Sequence, residues 1–115
     1  MSKISSKQWE DYQDRLADLQ ILAIAAPSGD AILSKCLEIA DLLIRKNISY
    51  GNSALEPIRI FSKSDNKEQI FVRIDDKLNR LKNNQSFDGD QDNNDLIGYL
   101  VLLEILLDKE RNNGV

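Results

Sequence analysis

From Leu96 to Leu107, ten of twelve residues are apolar, with only Gly98 and Glu104 interrupting. The stretch does not alternate, so a strand with one wet face is excluded. It is also shorter than the ~20 residues a membrane span needs. A helix that is apolar all round must be covered on every side. In a chain of 115 residues, that cover is expected to come in part from a second subunit. This helix is expected to begin near Asp90 to Asp92 and to end near Arg111.

Three more segments carry the three-four spacing of amphipathic helices. The first runs from about Gln8 to Ala26, with Trp9, Tyr12, Leu16, Leu19 and Ala23 on one stripe. Ser5 or Ser6 is the expected cap, and Pro27-Ser28-Gly29 the expected stop. The second runs from Asp30 to about Lys46, with Leu33, Cys36, Leu37, Ala40, Leu43 and Ile44 as its core stripe. Ile39 and Leu42 widen that stripe, so the helix is expected to be covered on two sides. Trp9 is expected to anchor the first helix, and Cys36 to sit as an inert core thiol. The third runs from about Lys67 to Asn83 through Ile70, Ile74, Leu78 and Leu81. Residues 47 to 67 read as a long connection, in which Ile58, Ile60 and Phe61 are expected to pack down. No segment alternates with period two. The expected fold is all-α, with about four helices in a small bundle and a single domain over 1–115. Dimerisation or higher homo-oligomerisation is expected to complete it.

Composition limits the chemistry. The chain has no histidine and one cysteine. That excludes a Ser-His-Asp triad, a Cys-His dyad, a histidine metal site and an intrachain disulfide. Any metal must be held by oxygen, which favours Mg2+, Mn2+ or Ca2+. A net charge of −4 and a pI near 4.8 argue against direct binding of duplex nucleic acid through a broad basic surface. A single nucleotide is still allowed, because a bound divalent cation inverts local charge. Residues 1–6 lack the apolar run of a leader. No membrane partner is expected, and the expected location is a cytoplasm, the protein's own or a host's.

Three constellations can carry chemistry. Glu38 and Asp41 lie one turn apart on the second helix, and Asp92 and Asp95 one turn apart at the start of the fourth. Two such pairs on facing helices can hold one or two Mg2+ ions. Equally, Glu38 and Asp41 can form a solvated face beside Arg45, and Asp92 and Asp95 can simply complement a helix N-terminus. On the third helix Arg73, Asp75, Asp76, Lys77 and Arg80 read either as a charge-laced exposed face or as a set of phosphate donors. Asp76 and Arg80, four apart, can pair along the helix. In the run Lys46 to Ser53, Tyr50 can stack on a base while Asn52 and Ser53 bond its edge, or Gly51 can merely end the helix.

The run Lys46-Asn47-Ile48-Ser49-Tyr50-Gly51-Asn52-Ser53-Ala54-Leu55-Glu56-Pro57-Ile58-Arg59-Ile60-Phe61-Ser62 resembles the K-N-x-D-Y-G-N-S-x-x-x-P-x-R-x-F-S pattern of the nucleotide modification associated domain 1 family. That family is found in bacteriophages and prophages. Val72-Arg73-Ile74-Asp75-Asp76-Lys77-Leu78-Asn79-Arg80-Leu81 resembles its R-I-D-D-K-L-x-R helix, and Asp95-Leu96-Ile97-Gly98-Tyr99-Leu100 its D-L-I-G-Y-L helix. The three runs fall in the same order. Ser49 stands where the pattern has an acidic residue. More distantly, Asp92-x-x-Asp95 before Leu-Ile-Gly-Tyr-Leu resembles the E-x-x-D helix of MazG- and dUTPase-type all-α nucleotide pyrophosphohydrolases.

The resemblance implies a protein of the host cytoplasm that binds a nucleotide or cyclic nucleotide. Lys46, Tyr50, Asn52, Arg59, Arg73, Lys77, Arg80 and Tyr99 would contact that ligand. Mg2+ would lie on Glu38, Asp41, Asp92 and Asp95, and Asp75 and Asp76 would serve catalysis. Three readings stay open: a Mg2+-dependent nucleotide pyrophosphohydrolase, a binder that sequesters an antiphage nucleotide signal without turnover, and a helical phage inhibitor of a host protein.

Overall fold

The computed structural model of the chain describes residues 4–56, 65–83 and 92–113. These form four α-helices: α1 (Ser6–Ala25), α2 (Gly29–Tyr50), α3 (Asn66–Lys82) and α4 (Asp92–Asn113). No strand occurs among the described residues, so the fold is all-α as expected. No described helix is long and apolar enough to cross a membrane. The chain's contacts divide it into two units, residues 1–41 and 42–115.

The first unit holds α1 and the start of α2. Ser5 caps α1 through a reciprocal pair: the Gln8 N–H donates to Ser5 Oγ at 3.2 Å, and the Ser5 N–H donates to Gln8 Oε1 at 2.9 Å. The helix ends where Pro27 forces its predecessor out of the helical region, and Ala26 is extended at φ −97°, ψ 139°. Gly29 is the first residue of α2 rather than part of the stop, and it is buried. A Cβ there would fall on the Ala23 carbonyl oxygen and within 2.6 Å of Ala23 Cα, both backbone atoms that cannot swing aside. Gly29→Ala is therefore expected to lower stability by about 2 kcal/mol, measured as the midpoint of urea unfolding. An unchanged midpoint would show that the turn has room.

Two expectations about this unit are corrected. Trp9 is 55% exposed, its ring edge to face with Tyr12 of the same helix, and α1 has no buried residue. The Cys36 thiol is exposed rather than core. Half-buried Ile39, Leu42, Leu43 and Lys46 mark the packed side of α2.

The second unit is built on an antiparallel pair, α3 against α4. Arg80 meets Asp92, Lys77 meets Asp95, Arg73 meets Tyr99 and Lys67 meets Glu110. Numbers fall along one helix as they rise along the other. Ile70, 2% exposed, is the one buried apolar side chain among the described residues. Ile97, Leu100, Val101 and Ile105 are exposed, so α4 is not covered on every side within the chain. Gly98 is buried, and the Leu43 Cδ2 of α2 lies 2.8 Å from where its Cβ would be. The bare backbone at 98 lets α2 approach α4.

The connection after α2 is shorter than expected, because α2 continues through Tyr50. Two left-handed residues end it, Gly51 (φ 60°) and Asn52 (φ 64°). The Asn52 N–H donates to the Asn47 carbonyl at 3.2 Å, and Asn47 Nδ2 donates to Asn52 Oδ1 at 2.9 Å. Asp65 then caps α3, its Oδ1 accepting from the Glu68 N–H at 2.7 Å. Ile58, Arg59, Ile60 and Phe61 lie outside the described residues, as does the segment 84–91.

Candidate functional site

The site lies in the second unit, where the last turns of α2 meet the α3–α4 pair. Arg73, Lys77 and Arg80 share one face of α3, at spacings of four and three. Asp92, Asp95 and Tyr99 share one face of α4 by the same rule. Antiparallel register sets these faces against each other.

Lys77 Nζ lies 3.4 Å from Asp92 Oδ1 and 3.2 Å from Asp95 Oδ2, bridging the two carboxylates. Lys46 Nζ, from α2, reaches Asp95 Oδ1 at 3.2 Å. Arg80 Nη1 stands 3.8 Å from Asp92 Oδ1, while its Nε is 3.6 Å from Asp76 Oδ2 in the expected i, i+4 pair. The Arg73 guanidinium carbon sits 6.0 Å from the centre of the Tyr99 ring, at the outer edge of cation–π range.

Burial is graded across the cluster. The Asp92 side chain is 1% exposed and that of Lys77 13%, whereas Lys46 and Arg80 are both more than 40% exposed. Lys77 is thus the fixed charge, and Lys46 and Arg80 can turn toward solvent. Asp92 opens α4, where the helix dipole favours a carboxylate. Its Oδ2 is buried and has no hydrogen-bond partner among the described residues. Burial works to lower the pKa of Lys77, but the hydrogen bond and charge of Asp95 and the bond to Asp92 outweigh it. The net effect holds the ammonium above its ordinary value of 10.5.

Among the described residues, no three Asp, Glu or Cys side chains gather as a metal-ligand set. Three of the four carboxylate oxygens of Asp92 and Asp95 face cationic groups instead. Mg2+ demands near-octahedral oxygen ligation, and Lys77 occupies the space between the two carboxylates that an ion would take. As placed, this donor set does not fit a resident Mg2+. Glu38 and Asp41, in the first unit, are both exposed, and Glu38 Oε2 accepts from Lys35 Nζ at 3.0 Å.

The structure therefore brings together Lys46, Arg73, Asp76, Lys77, Arg80, Asp92, Asp95 and Tyr99. Tyr50 is the exposed last residue of α2, not part of a loop. The Asn52 side-chain oxygen is engaged in the helix stop. Asp75 is exposed, and Arg59 lies outside the described residues. A further cross-helix contact, between residues that carried no site signal in the sequence, is Lys67 Nζ with Glu110 at 3.1 Å, 43 residues apart. No family model, curated protein or solved structure matches the chain.

Proposed function

We propose that this chain is a nucleotide-handling protein of phage type, acting as a homo-oligomer in the host cytoplasm. It binds the phosphates of a linear or cyclic nucleotide without turning it over. The reading rests on one observation above the others: Lys77 bridges Asp92 and Asp95, and Lys46, Arg73, Lys77 and Arg80 bring four positive charges to a cluster in which Asp76, Asp92 and Asp95 bring three negative ones. Lys46 and Arg80, at the rim and more than 40% exposed, can exchange part of their carboxylate contacts for a phosphate, with Arg73 beside them. Arginine suits bidentate phosphate contacts. Tyr99, below Arg73, offers a ring face to a base. The order of the three nucleotide-family motif runs supports the same ligand class. The hydrolytic alternative needs Mg2+ on Asp92 and Asp95, and so needs Lys77 displaced from both.

Calorimetry against the four dNTPs and a panel of cyclic nucleotides, in Mg2+ and in chelator, tests this reading. Binding is expected in chelator, with the ligand recovered intact by mass spectrometry. Arg73→Ala and Arg80→Ala are each expected to weaken it about tenfold, the loss of one charge-assisted hydrogen bond. Release of phosphate or pyrophosphate in Mg2+ would establish the hydrolase instead. No binding to any nucleotide would remove both readings.

A further inference from the structure

Helix α1 has a feature that the nucleotide site does not use. Trp9, Tyr12, Leu16, Leu19, Ala23 and Ala26 follow one another at three, four, three, four and three. From Trp9 to Ala23 that is an a/d heptad seam; Ala26 is the extended cap that follows the helix, and Ile21, Leu22 and Ile24 widen the apolar surface near its end. The seam is open: Trp9, Tyr12, Leu16 and Leu19 are 55%, 48%, 38% and 49% exposed. A helix of 20 residues is marginal in water unless its apolar face is covered.

The seam's own chemistry points to what covers it. Its flanking e and g positions hold Gln8, Gln13, Arg15, Gln20 and Leu22, with no acid among them. The four acids of α1, Glu10, Asp11, Asp14 and Asp18, all lie on the b, c and f positions, facing away. Two identical copies can therefore close on the seam without acid facing acid. Side-chain size sets the direction. The seam is large at its start, where Trp9 and Tyr12 stack edge to face with centroids 6.1 Å apart, and small at its end, at Ala23. A parallel pair would crowd two tryptophans at one end and leave a gap at the other. An antiparallel pair sets Leu16 against Leu19 at its centre and Tyr12 against Ala23 on either side, large on small, with Trp9 beyond them at the end of the partner helix. It also places Gln13 by Gln20 and Arg15 by Leu22, with no like charges opposed.

We propose that α1 is a self-association helix, pairing antiparallel with α1 of a second copy through this seam. The contact is isologous, so the two copies use the same residues. It stands independently of the nucleotide reading, since it shares no residue with that site.

Trp9 is the only tryptophan in the chain and reports on the seam directly. Full-length protein is to be followed by light scattering and by Trp9 fluorescence across a dilution series. The expected mass is a multiple of the 13.1 kDa chain, with Trp9 emission moving to the red as that mass falls. Leu16→Arg is expected to weaken association roughly tenfold or more and to leave Trp9 emission red at every concentration. A 13.1 kDa species with red emission throughout would overturn the proposal. So would an oligomer whose mass and emission ignore Leu16→Arg. Because that variant can lose its helix, a second measurement uses oxidation in a Cys36→Ser background. Mixed Leu16→Cys and Leu19→Cys chains are expected to cross-link more readily than Leu16→Cys alone. The reverse order would mean a parallel seam, and no cross-link in either would mean no seam; both reject the proposal.

Discussion

Replacing Lys77 with methionine is expected to destabilise the chain by about 3 kcal/mol, near the lower end for a broken buried ion pair. The loss comes from what stays behind more than from the bonds removed. Asp92 is 1% exposed and its Oδ2 already lacks a hydrogen-bond partner among the described residues. Without Lys77 its remaining cation among the described residues is Arg80 at 3.8 Å, and that side chain is 43% exposed. Arg80→Gln is expected to cost about 1 kcal/mol or less, because solvent screens it. Urea unfolding of both variants separates the two roles, and equal losses would show that Lys77 is not the fixed charge. Adding Asp92→Asn to Lys77→Met is expected to recover part of the loss, since it removes the stranded charge.

The same pair predicts an alkaline limit. The folded pKa of Lys77 is raised above 10.5, while the unfolded chain has the ordinary value. The contribution is thus fully present at neutral pH. It is lost as pH rises from about 10.5 through the folded value, because the unfolded lysine gives up its proton first. The informative quantity is the difference between wild type and Lys77→Met, which cancels the other groups that ionise in alkali. That difference is expected to shrink above about pH 10.5. A difference that stays constant into strong alkali would contradict the geometry.

Which parts of this could be read along the chain follows from the range of each interaction. The start of α1 was legible because Ser5 and Gln8 form a capping box three residues apart. The end of α1 was legible because Pro27 acts on its own neighbour. The Asp76–Arg80 pair was legible for the same reason, being one helical turn. The end of α2 was not. Asn47, Ser49 and Gly51 look like a break, yet the break waits for two left-handed residues braced by the Asn47 side chain. Lys77 with Asp92 and Lys46 with Asp95 span 15 and 49 residues. Their meeting depends on the register of α3 on α4 and on the bare backbone at Gly98, and neither can be read from spacing. Cys36 and Trp9 were misplaced for a related reason. Periodicity identifies an apolar stripe, but whether the same chain covers it is decided elsewhere.

The scarcity of buried side chains gives Ile70 a large weight. Ile70→Ala is expected to cost about 3 kcal/mol, the usual loss for emptying a packed isoleucine site. Ile70 sits between the Arg73–Tyr99 and Lys67–Glu110 contacts, at the level where α4 carries Leu102 to Leu106. A truncation there opens a void between two helices already tied at both ends, so they cannot close in to fill it. Val72, two residues along, is 65% exposed on the opposite side of α3, and Val72→Ala is expected to stay within about 0.5 kcal/mol. Urea unfolding of the two variants at one protein concentration makes the comparison. Equal costs would mean that the outer face of α3 is covered as fully as the inner one. The pair as a whole would then be a buried layer rather than the edge of the unit.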